Sequence, residues 1–123
     1  MVKKNNGNAI ILCCTTDWLP YAGATLLSCV QHGASEVADL YVATIGATEN
    51  DHQKFTAFAK AHGFNAELID TSLPQALAKF PALRFSQAAL LRLKLDEILP
   101  NSYSRVLYLD CDILAEGPVK DIF

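Results

Sequence analysis

The feature that most constrains the fold is an alternation of short apolar runs with longer segments of helical periodicity. Four runs have the length and content of strands, and they cover residues 9–14, 40–45, 65–70 and 105–109. The first run is continuously apolar, as expected for a strand that is covered on both faces of a parallel sheet. Strands that alternate with helices predict an α/β protein with a Rossmann-like, mostly parallel sheet flanked by helices.

The first two connecting segments carry recognisable helix signals. Pro20 suits the first turn of a helix that Gly33 ends. Thr48, followed three residues later by Asp51, resembles a capping box, and Gly63 is typical of a left-handed helix stop. Two amphipathic helices are therefore predicted between the first three strands.

The segment before the last strand predicts one more helix. Pro74 and Pro81 indicate a loop, after which Ser86 is a suitable N-cap and Pro100 ends the helix. Its predicted buried stripe consists of Ala88, Leu91, Leu95 and Ile98.

Composition restricts the classes of protein to which the chain can belong. A length of 123 residues allows one compact domain, and 51% hydrophobic residues with a net charge of −3 exclude a disordered chain. Ten basic against 13 acidic residues, without a basic cluster, argue against a nucleic-acid partner. The purest apolar run is far shorter than the ~20 residues of a bilayer span, so we predict no transmembrane segment and a cytoplasmic location.

The four cysteines stand at positions 13, 14, 29 and 111. Their spacing does not match a zinc site. Each lies among apolar residues, and a free cysteine commonly behaves as a small buried hydrophobe. We therefore predict buried, reduced thiols rather than disulfides.

Asp110 and Asp112 directly follow the last predicted strand. Residues i and i+2 of an extended chain point to the same side, with Cα atoms ~7 Å apart. Ligands of parallel sheets bind beyond the carboxyl ends of the strands, where this pair lies. Two neighbouring carboxylates favour a positive partner, and oxygen ligands suit Mg²⁺ or Mn²⁺. We predict a divalent-metal site; the alternative is that one aspartate caps the following turn while the other is solvated.

Arg92, on the predicted helix before this strand, has two interpretations. One is a surface ion pair with Asp96, worth roughly 0.2–0.5 kcal/mol. The other is a contact with a phosphate or carboxylate near the metal. The chain contains no G-x-S-x-G, P-loop or G-x-G-x-x-G pattern, so a hydrolase triad and a dinucleotide site have no support.

The residues around the two aspartates resemble the central signature of a known family. The matching segments are FSQAALLRLKL at residues 85–95, Leu99-Pro100, and RVLYLDCDILAEG at residues 105–117. They are similar to the retaining glycosyltransferases of family eight, which include glycogenin and bacterial lipopolysaccharide galactosyl- and glucosyltransferases. The resemblance extends from about residue 9 to the C-terminus and is weaker in its N-terminal part.

This resemblance implies a nucleotide-diphospho-sugar transferase fold, a UDP-sugar donor, and Mn²⁺ or Mg²⁺ as cofactor. It implies that Asp110 and Asp112 hold the metal against the donor diphosphate. The implied activity is the transfer of a hexose, with retention of anomeric configuration, to a saccharide or lipopolysaccharide-core acceptor. In this role the cation takes up the charge that develops on the leaving UDP.

The resemblance also assigns residues to the nucleotide sugar. It places Arg92 beside the donor, and the backbone of Cys111 near the ribose. It assigns the uracil and ribose pocket to residues after the first strand, namely Cys13, Thr15 and Asp17.

The chain departs from the family pattern in two places. After strand one the family usually has an acidic residue, then Asn and an aromatic residue, where this chain has Thr15-Thr16-Asp17-Trp18. The chain also ends at Phe123, about where the sugar- and acceptor-binding half of the family begins, and the family's histidine metal ligand belongs to that half. We therefore expect residues 1–123 to be a donor-binding half that binds UDP and metal weakly but is inactive alone. We also expect exposed apolar surface that favours a homo-oligomer.

Two other functions remain open from the sequence. A haloacid-dehalogenase-like phosphatase also places Asp-x-Asp after an apolar strand, with Asp110 as the nucleophile and Asp112 as the acid. In that class, however, the motif opens the chain, whereas here it stands near the end. The non-enzymatic alternative is a small α/β nucleotide-binding or interaction module without turnover.

Overall fold

The computed structural model describes residues 7–71 and 87–123, and within them one sheet of four strands is present. The strands are β1 (Asn8–Cys13), β2 (Asp39–Thr44), β3 (Glu67–Asp70) and β4 (Arg105–Tyr108). Their spatial order is β3-β2-β1-β4, and each neighbouring pair is parallel. The predicted α/β, Rossmann-like, mostly parallel sheet is confirmed.

The central strand is β1, and all six of its residues are buried. Ile11 lies opposite Tyr41 of β2 on one side and opposite Tyr108 of β4 on the other. Ile10 and Leu12 point into the core on one face of the sheet, while Ile11 points into the core on the other. The uninterrupted apolar run at this position therefore reflects a strand that is covered on both faces, as predicted.

Helices cover both faces of the sheet. One face carries α1 (Leu19–Gln31), the short α2 (Ala34–Val37) and α3 (Glu49–Ala61). The other face carries a 3₁₀ helix at Gln87–Lys94, followed by α4 (Leu95–Ile98). Shorter 3₁₀ turns stand at Thr16–Trp18 and Val119–Ile122. In the described part of the chain, no helix is both long enough and apolar enough to cross a bilayer.

The predicted signals at the ends of α1 and α3 are confirmed. Pro20 occupies the first turn of α1. The Thr48 hydroxyl accepts from the Asp51 backbone N–H at 3.1 Å, and the Asp51 carboxylate accepts from the Thr48 N–H at 2.9 Å, which completes the capping box. Gly33 and Gly63, which follow α1 and α3, have φ values of 86° and 75°. These left-handed conformations suit a residue without a Cβ atom.

The segment before β4 differs from the single helix that the sequence predicts. Lys94, with φ −136° and ψ 44°, separates the 3₁₀ helix from α4. Leu91 is fully buried, whereas Leu95 and Ile98 are only half-buried. A 3₁₀ helix repeats every three residues, so the stripe predicted from the α-helical period is not maintained across the break. Four other residues of this prediction lie outside the described residues or side chains: Pro74, Pro81, Ser86 and Ala88.

Candidate functional site

Two neighbouring strands end side by side at the carboxyl edge of the sheet. β1 lies between β2 and β4. The strands that follow β1 are added on one side of it, and β4 is added on the other side. In open parallel sheets, ligands bind in the crevice at such a reversal, which here lies beyond the carboxyl ends of β1 and β4. The residues predicted from the first strand and those predicted from the last strand therefore reach the same edge. The structure brings these six together: Cys13, Thr15, Asp17, Asp110, Cys111 and Asp112.

The two aspartates after β4 are exposed. Neither carboxylate makes a hydrogen bond or an ion pair with another residue of the ranges 7–71 and 87–123. Among these residues the two carboxylates are therefore not held by internal contacts. In particular, neither carboxylate makes the hydrogen bond that would cap the following turn. Asp110 lies close enough to the Tyr108 ring for its charge to affect the ionisation of that phenol.

The two carboxylates fit a divalent cation that takes most of its ligands from other groups, such as water and substrate phosphates. No group of three His, Cys, Asp or Glu side chains in the described segments could hold a metal ion. Asp110 and Asp112 offer carboxylate oxygens, which suit Mg²⁺ and Mn²⁺. These ions commonly bind through one or two carboxylates and complete their coordination with water and substrate phosphates.

Helix α1 holds the turn that carries the aspartates. The Thr25 hydroxyl donates to the Cys111 carbonyl at 3.0 Å, and the Ala115 N–H donates to the Ser28 hydroxyl at 2.9 Å. Further along, the Val119 N–H donates to the His32 carbonyl at 3.0 Å. Thr25 is 1% exposed, so its hydrogen bond is shielded from water. These supporting residues were not predicted; the signal for Thr25 is a polar residue on the buried side of an amphipathic helix.

The cysteines at this edge are free thiols, as predicted, although Cys111 is only half-buried. A hydrogen bond with Cys111 and burial raise the pKa of the Cys14 thiol well above its usual range. Burial raises the pKa of Cys13 to about 12, and Arg92 opposes this shift. The thiols of Cys13 and Cys14 are therefore neutral at physiological pH.

Arg92 lies against Tyr108, the last residue of β4. Its guanidinium stands 5.8 Å from the centroid of the Tyr108 ring, which is a cation–π contact. Burial raises the pKa of Tyr108 to about 12, the neighbouring Cys13 and Asp110 add to the shift, and Arg92 opposes it. Among the described residues Arg92 makes no ion pair with Asp96, so that interpretation of Arg92 is wrong. Arg92 is exposed, and both Arg92 and Asp110 are close enough to Tyr108 to affect the pKa of its phenol.

The turn after β1 presents polar and aromatic groups at the same edge. The Thr15 hydroxyl donates to the Asp17 carboxylate at 2.5 Å. Trp18 and Tyr21 form a ring pair with centroids 4.9 Å apart, and they are 45% and 57% exposed. A surface aromatic pair with this exposure offers a stacking face to a planar or sugar ring.

Two grooves lie near the ends of the sheet. One of about 390 Å³, between α1 and α3, borders the site through Asp17. Another of about 500 Å³ lies at the amino-terminal edge of β2 and β3, on the opposite side of the sheet from the aspartates. The carboxylate of Asp70, after β3, accepts from the Gly46 and Ala47 N–H groups, so it closes a turn rather than facing the site.

Comparison with known proteins shows the family and the fold of the chain. The family model described as glycosyl transferase family 8 matches residues 9–123. A crystal structure of the galactosyltransferase LgtC, in complex with donor and acceptor sugar analogs, is similar with a TM-score of 0.76 and 24% identity. The apo structure of the bifunctional glycosyltransferase WbbM is similar with a TM-score of 0.68 and 16% identity. No curated protein matches the chain.

The matched structures are much longer than this chain. The similarity to LgtC covers 94% of this chain but 41% of LgtC, and the similarity to WbbM covers 96% of this chain but 21% of WbbM. The 123 residues therefore span less than half the length of either structure.

Proposed function

The chain belongs to glycosyl transferase family 8, and from this premise we propose that it forms the donor-binding part of a hexosyltransferase that uses a UDP-sugar. The observation that supports the proposal is the pair of exposed, uncompensated carboxylates at the crevice between β1 and β4. The same edge of the sheet carries the exposed Arg92, which contacts Tyr108, and the exposed Trp18–Tyr21 pair after β1. Such a crevice is where open α/β sheets bind their ligands.

In this proposal each group of residues has a separate task. Asp110 and Asp112 hold Mn²⁺ or Mg²⁺, which when bound supplies positive charge to a diphosphate that carries negative charge. Arg92 contributes a second positive charge, with a planar group that suits phosphate oxygens. The main chain of Cys111, fixed by Thr25, faces the ribose.

In this proposal the turn after β1 binds the uracil and the ribose. Thr15 and Asp17 are joined by a hydrogen bond, so the Asp17 carboxylate is held in place before the ligand arrives. Cys13, a buried thiol two residues before Thr15, is assigned to the same pocket in this proposal. Trp18 offers the aromatic face in this pocket.

The remaining parts of the activity belong to the same proposal. The acceptor is a saccharide, such as a lipopolysaccharide core, and the hexose is transferred with retention. LgtC supports this assignment because its structure holds donor and acceptor sugar analogs. We propose that the 123 residues alone bind UDP and metal weakly and turn over little. Exposed apolar side chains after β4, such as Leu114 at 67% exposure and Ile122 at 61%, favour a homo-oligomer.

Calorimetric titration with UDP, with and without Mn²⁺, tests the site. We expect Mn²⁺ to strengthen UDP binding, and EDTA to reverse the effect. Asp110→Asn and Asp112→Asn should each remove the effect of Mn²⁺. Asp96→Asn, which changes an exposed aspartate of α4, should leave it intact.

Folding of each variant is checked by circular dichroism, so that loss of binding is not confused with unfolding. The proposal fails if UDP binding by the folded chain does not depend on Mn²⁺. It also fails if the Asp110→Asn and Asp96→Asn variants bind alike.

A further inference from the structure

Cys14 directly follows β1, and Cys111 follows the end of β4, at the edge of the sheet that carries the candidate site. β1 and β4 are in register with Ile11 opposite Tyr108, and the Leu109 N–H donates to the Ile11 carbonyl at 3.1 Å. The same register, continued along both chains, places Cys14 opposite Cys111. Neighbouring strands are about 4.8 Å apart, which lies within the range of Cα–Cα distances that a disulfide spans.

The two side chains also lie on the same face of the sheet. Cys14 belongs to the buried core beneath α1, and Cys111 is packed against that core. Cys13, the neighbour of Cys14 in sequence, belongs instead to the core on the opposite face of the sheet. Position therefore selects Cys14, and not Cys13, as the partner of Cys111.

We propose that Cys14 and Cys111 are a reversible disulfide-forming pair whose oxidation alters the turn that carries Asp110 and Asp112. Cys111 is the more exposed of the two and reacts first. Its sulfur attacks one sulfur of a small-molecule disulfide, whose S–S bond breaks, and one thiol leaves with the proton of Cys111. The Cys14 sulfur then attacks the Cys111 sulfur, and a second thiol leaves with the proton of Cys14. The two cysteines lose two electrons, which reduce the small disulfide to two thiols.

The consequence for the site follows from the distances involved. Non-bonded heavy atoms stay roughly 3.5 Å apart, whereas bonded sulfurs lie about 2.05 Å apart. The sulfurs must therefore approach each other when the bond forms. β1 is fixed between two other strands, whereas Cys111 lies in a half-buried turn, so the turn moves more than the strand. This step rests on the proposed function, since it concerns the positions of the two carboxylates that hold the metal.

Mass spectrometry of the full chain tests the disulfide itself. The reduced protein is incubated with oxidised glutathione and digested with trypsin. Cys13, Cys14 and Cys29 share the tryptic peptide of residues 5–54, so the linked peptides are also fragmented to identify the cysteine that is joined to Cys111. We expect the intact protein to lose the mass of two hydrogen atoms. We also expect a dithiothreitol-sensitive link between the peptide that contains Cys14 and the peptide that contains Cys111. Cys14→Ala should instead retain glutathione on Cys111, because the resolving thiol is absent.

Cys13→Ala is the matched control and should still form the link. A link from Cys111 to Cys13 or Cys29 would overturn the assignment. So would stable glutathione adducts on the wild-type chain without an internal disulfide.

UDP titration in the presence of Mn²⁺ tests the coupling to the site. We expect the oxidised chain to bind at least about threefold more weakly than the reduced chain, because small misplacements of ligating groups weaken binding strongly. Dithiothreitol should restore the affinity. Equal affinities for the two forms refute the coupling. Absence of UDP binding in both forms counts against the proposed function instead, and leaves the mass-spectrometric result standing.

Discussion

Thr25→Val removes one hydroxyl from a side chain that is 1% exposed and keeps its branched shape. The hydroxyl donates to the Cys111 carbonyl at 3.0 Å, so the substitution leaves that carbonyl without its α1 partner. A net hydrogen bond is worth about 1 kcal/mol, and an unsatisfied, partly buried carbonyl adds a penalty of similar size. The additional buried methyl group returns up to about 0.8 kcal/mol. We therefore expect the free energy of unfolding to fall by about 1–2 kcal/mol.

Urea denaturation measures this change. With a slope of about 2 kcal/mol per molar urea, the midpoint should fall by roughly 0.5–1 M while the slope stays constant. The control is Thr56→Val, which makes the same chemical change at an exposed position of α3. We expect it to change the free energy of unfolding by less than about 0.5 kcal/mol.

The reasoning is refuted if Thr25→Val and Thr56→Val give the same midpoint. That result would mean that the contact between α1 and the turn after β4 contributes nothing to stability. A change in slope would be a different failure, because it would show that the substitution altered the unfolded or folded ensemble rather than one hydrogen bond.

Three further predictions concern the scaffold. Leu26→Ala, at a fully buried position of α1, should lower the free energy of unfolding by about 2–5 kcal/mol in urea denaturation, and a value under about 1 kcal/mol would contradict the described core. Gly63→Ala, at φ 75° with open space around the new methyl group, should lower thermal stability by about 1 kcal/mol through backbone strain alone; an unchanged melting temperature would contradict the left-handed cap. Hydrogen bonds from Thr48 lower the pKa of the Asp51 carboxyl, so its stabilising effect is complete above the ordinary carboxyl pKa and disappears as the pH falls through the lowered value. The stability difference between wild type and Asp51→Asn should therefore shrink on acidification, and a difference that grows would contradict this sign.

The strand pattern and the helix caps were predictable because their causes are local. The run at residues 9–14 is apolar because β1 is covered on both faces, and this requirement is visible in the sequence. The capping box of α3 needs only Thr48 and Asp51, three positions apart. In such cases neighbours along the chain decide the conformation.

The break before β4 and the partner of Arg92 were not predictable because their causes are distant in sequence. An α-helix would bring Arg92 beside Asp96, but the 3₁₀ geometry and the break at Lys94 remove that neighbour. Its actual contact, the Tyr108 ring, lies on the next strand. The aspartate pair could be proposed as a metal site from its position directly after a strand. The hydrogen bond from Thr25 to the Cys111 carbonyl between them depends on tertiary packing, so it was not predictable from the sequence.

The contact between α1 and the turn after β4 has a consequence for folding. It joins residues 86 positions apart, and closing a loop of that length costs roughly 4 kcal/mol of chain entropy. The first three strands and their helices can assemble from closer partners, whereas β4 must return across the whole chain to reach β1. We therefore expect the edge between β1 and β4 to be completed late. If the proposed site binds a nucleotide there, its affinity should depend on this late docking of β4 rather than on the formation of the β1–β3 core.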